Sequence, residues 1–243
     1  MVHETLVNAP IVEAVVDLRV ELAPDSIEAD VLAAIEGEFA EFSQKQNQLH
    51  YHLDPDAATS VVSIASVLLQ AQGEPVMVNG GPRGFAASQM RPYGDWSSFR
   101  DSVRRLWERY RRVVRPVRCV RLGLRYVNKI DIAPDEEVGQ VLTWIPVAPP
   151  LLAPDGFLTA TTSFVAPFAD RDAAVKVILH LPQRRDVDSG AQVLLDIDAF
   201  RQTSLGADDE AIWEGLEVLR GIKNEVFFGS ITNRARERFR NAP

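Results

Sequence analysis

Residues 20–25 read Val-Glu-Leu-Ala-Pro-Asp and residues 130–135 read Ile-Asp-Ile-Ala-Pro-Asp. The two hexads stand 110 residues apart in a chain of 243, close to half its length. Each ends a strand-like run, and each is followed by an amphipathic, helix-like segment. A recurrence of this kind marks an internal duplication, in which each copy is one unit of the same supersecondary pattern. The duplication predicts a first repeat over residues 1–115 and a second over 116–243, joined as one compact pseudo-symmetric unit.

From Ile11 to Leu22, running into the first hexad, Val12, Ala14, Val16, Leu18, Val20 and Leu22 alternate with Glu13, Asp17, Arg19 and Glu21, with Val15 among the polar set. A period of two over twelve residues predicts a long strand with one buried face. Pro24 and Asp25 break it, Ser26 is the expected helix cap, and Ile27, Val31, Ile35, Phe39 and Phe42 then recur at helical spacing. Short strands are expected near 48–54, 60–70, 75–79 and 84–90, with Gly80-Gly-Pro-Arg-Gly84 as a hairpin turn. Asp95 opens the clearest helix of the chain: Trp96, Phe99, Val103, Leu106, Trp107 and Tyr110 lie on one stripe and are expected to be buried. Pro116 ends that helix.

The second half repeats this order. Arg118 to Ile132 reads as another long strand. Pro134 and Asp135 precede a helix near 136–145, then a proline-rich connection over 146–154. Strands follow near 156–166, 173–182 and 191–199. A helix near 207–226 has three acidic residues in its first turn, and Thr232 caps a last short helix. The expected fold is α+β, built from internally duplicated units of strand, helix, antiparallel strands and helix. The order resembles the TATA-box-binding-protein-like topology, also called helix-grip where the sheet curls around a long helix; a plainer α+β sandwich of two unrelated layers is the alternative. Likeness at this level carries no function.

The chain has 34 acidic against 26 basic residues and a net charge of −8, which opposes general attraction to nucleic acid or anionic membrane. One cysteine, Cys119, excludes an internal disulfide. The N-terminal residues lack a basic-then-apolar export pattern, and no apolar run approaches the ~20 residues that span a bilayer. The expectation is a cytoplasmic protein that does not enter a membrane.

No motif fixes a reaction, and no catalytic residue is assigned. Asp196 and Asp198 share a strand face, as do His50 and His52, but each pair supplies two ligands where a closed zinc site needs four; no metal and no cofactor are expected. Cys119 lies between arginines, opposite the apolar positions of its strand, with no histidine near in sequence. The arginines are the denser signal: ten fall within Arg100–Arg125. Arg104, Arg111, Arg115, Arg121 and Arg125 are the candidate binding residues, for phosphates, RNA or an acidic protein surface. The competing reading pairs them inside the protein, with Glu13, Asp17 and Glu21 facing Arg121, Arg125 and Lys129 across neighbouring strands. Asn128 interrupts the apolar face of its strand where the first repeat carries Leu18. With Tyr126 it is a candidate for a polar network or a pocket lining.

Several blocks resemble a sporadically distributed bacterial protein family of uncharacterised activity. They are Asn8-Ala-Pro-Ile-Val-Glu-Ala-Val-Val-Asp-Leu-Arg19, Trp96 with Phe99, Trp107 with Tyr110, Arg121-Leu-Gly-Leu-Arg-Tyr-Val-Asn128, Leu195-Asp-Ile-Asp-Ala-Phe200, Lys223-Asn-Glu-Val-Phe-Phe228, and Ile231-Thr232. The resemblance implies a horizontally moved gene linked to defence or toxin–antitoxin-like loci, and so interaction rather than metabolism. The leading expectation is a non-enzymatic binding or regulatory protein with a protein partner. A ligand- or nucleotide-binding protein, or an enzyme, with a pocket between curved sheet and helix is the second reading. A nucleic-acid binder using the arginine cluster is the third. The sequence does not set the oligomeric state.

Overall fold

The structure, a computed structural model, describes residues 6–42, 44–54, 59–70, 76–145, 159–182 and 190–241, with backbone alone over 44–65. It is α+β. Strands are β1 (Ile11–Glu21), β2 (Gln44–Asp54), β3 (Thr59–Gln70), β4 (Val76–Gly81), β5 (Gly84–Met90), β6 (Arg118–Ile132), β7 (Thr159–Phe168), β8 (Ala173–Pro182) and β9 (Ala191–Gly206). Helices are α1 (Glu28–Glu38), α2 (Trp96–Val114), α3 (Val138–Val141), α4 (Ala211–Ser230) and α5 (Asn233–Arg240). The strands pair in the order β2-β3-β4-β5-β1-β6-β9-β8-β7.

The chain groups into two compact units. Unit I holds Val15–Gly123 and Gln202–Gly215; unit II holds Met1–Ala14, Leu124–Arg201 and Leu216–Pro243. This division by packing is distinct from the sequence repeats at 1–115 and 116–243, because β1, β6 and β9 each contribute residues to both units.

In unit I the period-two pattern of β1 does what it predicts: Val16, Leu18 and Val20 are buried. The Gly80–Gly84 segment is a hairpin whose two-residue loop is Pro82 and Arg83, with Gly81 opposite Gly84. Two of its glycines serve close approach. A Cβ on Gly80 would stand 3.0 Å from Ile35 of α1, and one on Gly84 would stand 3.1 Å from the Leu18 carbonyl oxygen of β1. Helix α2 begins at Asp95, whose carboxylate accepts from the Ser98 N–H at 2.9 Å. That bond holds the carboxyl below its usual pKa. Trp96, Phe99, Val103, Trp107 and Tyr110 are all buried. Leu106 is only half-buried, at the rim of the stripe, so its truncation costs less than that of a core leucine. The helix ends on Arg115 in the left-handed conformation, with φ of 51°.

The first helix departs from expectation at its start. Ser26 sits in a turn, its N–H bonded to the Ala23 carbonyl, and the N-cap is Ile27, with no side-chain cap. The third helix departs more. It spans Val138–Val141 instead of 136–145. The backbone beyond it is committed elsewhere: the Thr143 N–H bonds to the Ser230 carbonyl, the Thr232 N–H to the Val141 carbonyl, and Leu142 bridges Ile231. These tertiary bonds satisfy groups that a longer helix would have paired internally.

In unit II, Leu124, Tyr126, Ile130, Leu195, Ile197, Leu216, Leu219 and Ile222 are buried. Thr232 caps α5, accepting from the Ala235 N–H at 3.3 Å, and its hydroxyl donates to the Gln140 carbonyl at 2.6 Å. Replacing Thr232 by alanine should cost about 1–2 kcal/mol, read as a lowered denaturation midpoint, since one side chain closes both a helix cap and a tertiary bond. Glu136, only 4% exposed, joins α5 to the Pro134 turn through Arg234 at 3.3 Å and Arg238 at 3.1 Å.

Candidate functional site

The arginine cluster is largely spent on contacts within each unit. In unit I the Arg104 guanidinium meets Glu210 fork to fork, with one bond of 2.8 Å, and lies over the Trp213 ring at 5.4 Å. Arg109 bonds Glu38 at 2.9 Å and Glu41 at 2.6 Å, donates to the Glu38 carbonyl, and covers the Phe39 ring at 4.5 Å. Its hydrogen bond, with a smaller contribution from its charge, holds the Glu41 carboxyl below the usual range. Arg111 pairs with Glu108 at 2.6 Å, Arg118 with Glu21 at 3.0 Å, and Arg121 with Asp17 at 2.7 Å. Arg115 is exposed, and its backbone ends α2.

In unit II, Arg125 grips both Asp196 oxygens at 2.8 Å. Of the acids and bases expected from sequence to face each other across the two long strands, Asp17 pairs with Arg121. Arg125 instead takes a carboxylate of β9, which neighbours β6 on its other side. Asp196 is thus an arginine partner, and Asp198 stands opposite Lys176 in the β8–β9 register. Among the described residues no three His, Cys, Asp or Glu side chains come together as metal ligands. His180 shares a 2.8 Å hydrogen bond with Thr161. The side chains of His50 and His52, and the whole of His3, lie outside the described residues.

Cys119 is fully buried rather than on an open face. Burial is the main cause that pushes its thiol up to about 12. A thiol held protonated at neutral pH is a poor nucleophile.

The second cluster lies in the core of unit II and joins two residues marked by sequence to one that was not. Asn128 is 2% exposed, and its side-chain N–H groups donate to the Leu195 carbonyl at 3.1 Å and the Tyr126 carbonyl at 3.4 Å. Tyr126, two residues earlier on the same face, is also 2% exposed. Lys223 of α4 sets its ammonium 3.9 Å from the centre of the Tyr126 ring. Lys223 is 8% exposed and forms no ion pair with any described carboxylate. Desolvation, with a smaller push from Arg220, brings its pKa down to about 7. The signal for Lys223 was present in the sequence: it stands four residues after Leu219 and seven after Leu216, on the apolar stripe of its helix.

Unit I also holds an open cleft of about 420 Å³ between the end of β1, the 22–26 turn and the 82–83 loop, lined by Glu21, Ser26, Glu28, Arg83 and Val120 among others. Arg83 and Glu28 pair across it at 3.0 Å. None of the candidate binding residues, Arg104, Arg111, Arg115, Arg121, Arg125, Tyr126 and Asn128, lines it. Comparison of the chain with protein-family models, with curated proteins and with solved structures found no match. No helix among the described residues is long and apolar enough to cross a membrane.

Proposed function

We propose that this is a non-enzymatic cytoplasmic binding or regulatory protein that meets a protein partner through the sheet face of unit II opposite the buried one. The observation that carries this reading is the composition of that face. Lys176 stands opposite Asp198, Ile178 opposite Asp196, and His180 opposite Leu194 in the register of β8 and β9. Arg125 lies beside them, already paired. Half-buried Ile178 and Leu194 are thus set among charges of both signs that neutralise one another. Such a face suits a protein surface of matching apolar and mixed-charge pattern better than a polyanion. The resemblance to the sporadically distributed family supports placing the protein as an accessory of a defence or toxin–antitoxin-like module.

We read the fold as two copies of one unit in the TATA-box-binding-protein-like manner. Outward from β1 the strands run β5, β4, β3, β2; outward from β6 they run β9, β8, β7, so the first half carries one strand more. Each long strand is the first element of its half, and a long helix follows the last strand in each.

The partner reading is tested with the products of adjacent genes, purified and titrated against the full chain. Leu194→Asp together with Lys176→Glu should abolish any complex while leaving the melting temperature within a few degrees. A complex that survives both changes overturns the assignment of the face. The arginines supply the second arm. At ~0.15 M salt, random-sequence RNA and duplex DNA should bind more weakly than about 10 µM, because most guanidiniums of the cluster are paired with carboxylates of the protein. Micromolar binding with a steep salt dependence, lost on Arg104→Glu plus Arg111→Glu, would replace this reading with nucleic-acid recognition.

A further inference from the structure

The outer edge of β7 is unusual for a strand that ends a sheet. It reads Thr-Ala-Thr-Thr-Ser-Phe-Val-Ala-Pro-Phe over Thr159–Phe168, with no charged side chain. Among the described residues nothing pairs its outer side. Bare edges are ordinarily guarded by lysine, by inward charges, by bulges or by proline, and here the guard is Pro167 near one end. Phe164 is 49% exposed and Val165 is 64% exposed, and as neighbours in a strand they point to opposite faces. Trp144 sits edge-on to Phe164 at 5.5 Å, beside Ile145, which is 43% exposed.

We propose that β7 is the dimerisation edge of this protein, paired antiparallel with β7 of a second copy about a two-fold axis at Ser163. Charge selects the occupant. A chain of net charge −8 repels its own copies, and two copies meet at least cost where neither brings a charge. β7 offers ten residues of that kind. Geometry selects the register. In an antiparallel pair related by a two-fold axis normal to the sheet, directly opposed residues lie on the same face, so one residue must sit on the axis. With Ser163 there, Thr162 of each copy opposes Phe164 of the other, Thr161 opposes Val165, and Ala160 opposes Ala166. Each large exposed side chain then meets a β-branched one, a favourable cross-strand match. Pro167 falls at the end of the ladder, where its missing N–H costs least. An axis at Phe164 or Val165 would bring Pro167 inside the ladder and oppose identical large side chains. This dimer edge adjoins the partner face, since Val165 stands opposite Lys176, but the edge is tested by Phe164→Lys with Val165→Lys and the face by Leu194→Asp with Lys176→Glu, so either proposal can fail alone.

The full chain should sediment at twice its 27.0 kDa mass at micromolar concentration. Phe164→Lys with Val165→Lys should weaken the dimer at least tenfold, with the melting temperature of the monomer lowered by a few degrees at most, through the loss of the Phe164 contact with Trp144. A Ser163→Cys variant gives the register. Cys119, the one natural cysteine, is fully buried, so mild oxidation should link two copies through position 163 alone. Opposed residues in such a ladder lie within the ~4.4–6.8 Å Cα separation a disulfide spans. Thr161→Cys by itself should not link. A monomer at 100 µM, a dimer indifferent to the two lysines, or linkage at Thr161→Cys but not at Ser163→Cys would each overturn the proposal.

Discussion

Replacing Lys223 by methionine should stabilise the protein by several kcal/mol at pH 6, and the gain should shrink steadily between about pH 7 and pH 10.5. The physical basis is the cost of holding an ammonium in the core of unit II. An unfolded lysine binds its proton up to about pH 10.5; in the folded protein burial brings that point down to about 7. The unfolded state therefore binds more protons between these values, and stability rises with pH across the window. Below pH 7 the penalty is complete, about 5 kcal/mol at ~1.4 kcal/mol for each pH unit between the two values. Methionine removes it, and the attraction of the ammonium for the Tyr126 ring is lost in any case as the lysine deprotonates. Denaturant unfolding of both proteins at pH 6 and pH 9.5 checks the sign and the window. An equal effect at both pH values would show that Lys223 reaches solvent and is not a buried cation.

Trp107→Ala should be among the most destabilising single truncations in unit I, at about 3–5 kcal/mol. The indole is 1% exposed, stacked on Tyr110 at 5.4 Å and edge-on to Phe85 at 5.6 Å. Its N–H donates to the Ala207 carbonyl at 3.2 Å. Trp107→Phe keeps most of the packing and removes the donor, so it should cost about 1–3 kcal/mol, the desolvation of one unpaired buried carbonyl included. The difference between the two variants separates cavity from hydrogen bond. Leu106→Ala, on the same helix but at its rim, should fall below either. If Leu106→Ala proved the costlier, the packing of α2 would be rotated from the arrangement described here.

These expectations rest on features that differ in how far local chemistry announced them. The alternation in β1 and β6, the apolar stripe of α2 with its Asp95 cap, and the Gly80–Gly84 hairpin all depend on residues within one or two turns of each other. Period and turn chemistry therefore suffice to read them. The 136–145 segment has an amphipathic pattern too, yet its helix stops at Val141 because the chain at 230–232, some ninety residues on, takes its backbone groups. Strand β9 runs on to Gly206, past the expected end at 199.

The candidate residues divide along the same line. Density of arginine is a property of the sequence, and so is the presence of enough acid to neutralise it. Which acid each arginine takes is a matter of strand order: Asp17 meets Arg121, while β9 brings Asp196 to Arg125, a choice no local pattern encodes. Asn128 was visible as a polar break in an apolar face, but its partner, the Leu195 carbonyl, belongs to a strand 67 residues away. Cys119 and Lys223 show the limit most sharply. Their identities were in plain view, and both have pKa values moved mainly by desolvation, which depends on every neighbour that excludes water. Local chemistry along the chain was enough for the α+β elements, the acidic balance and the two long strands. The tertiary structure decided which charges are neutralised, which polar groups are buried and which sheet edge is left bare, because those depend on contacts between residues far apart in the chain.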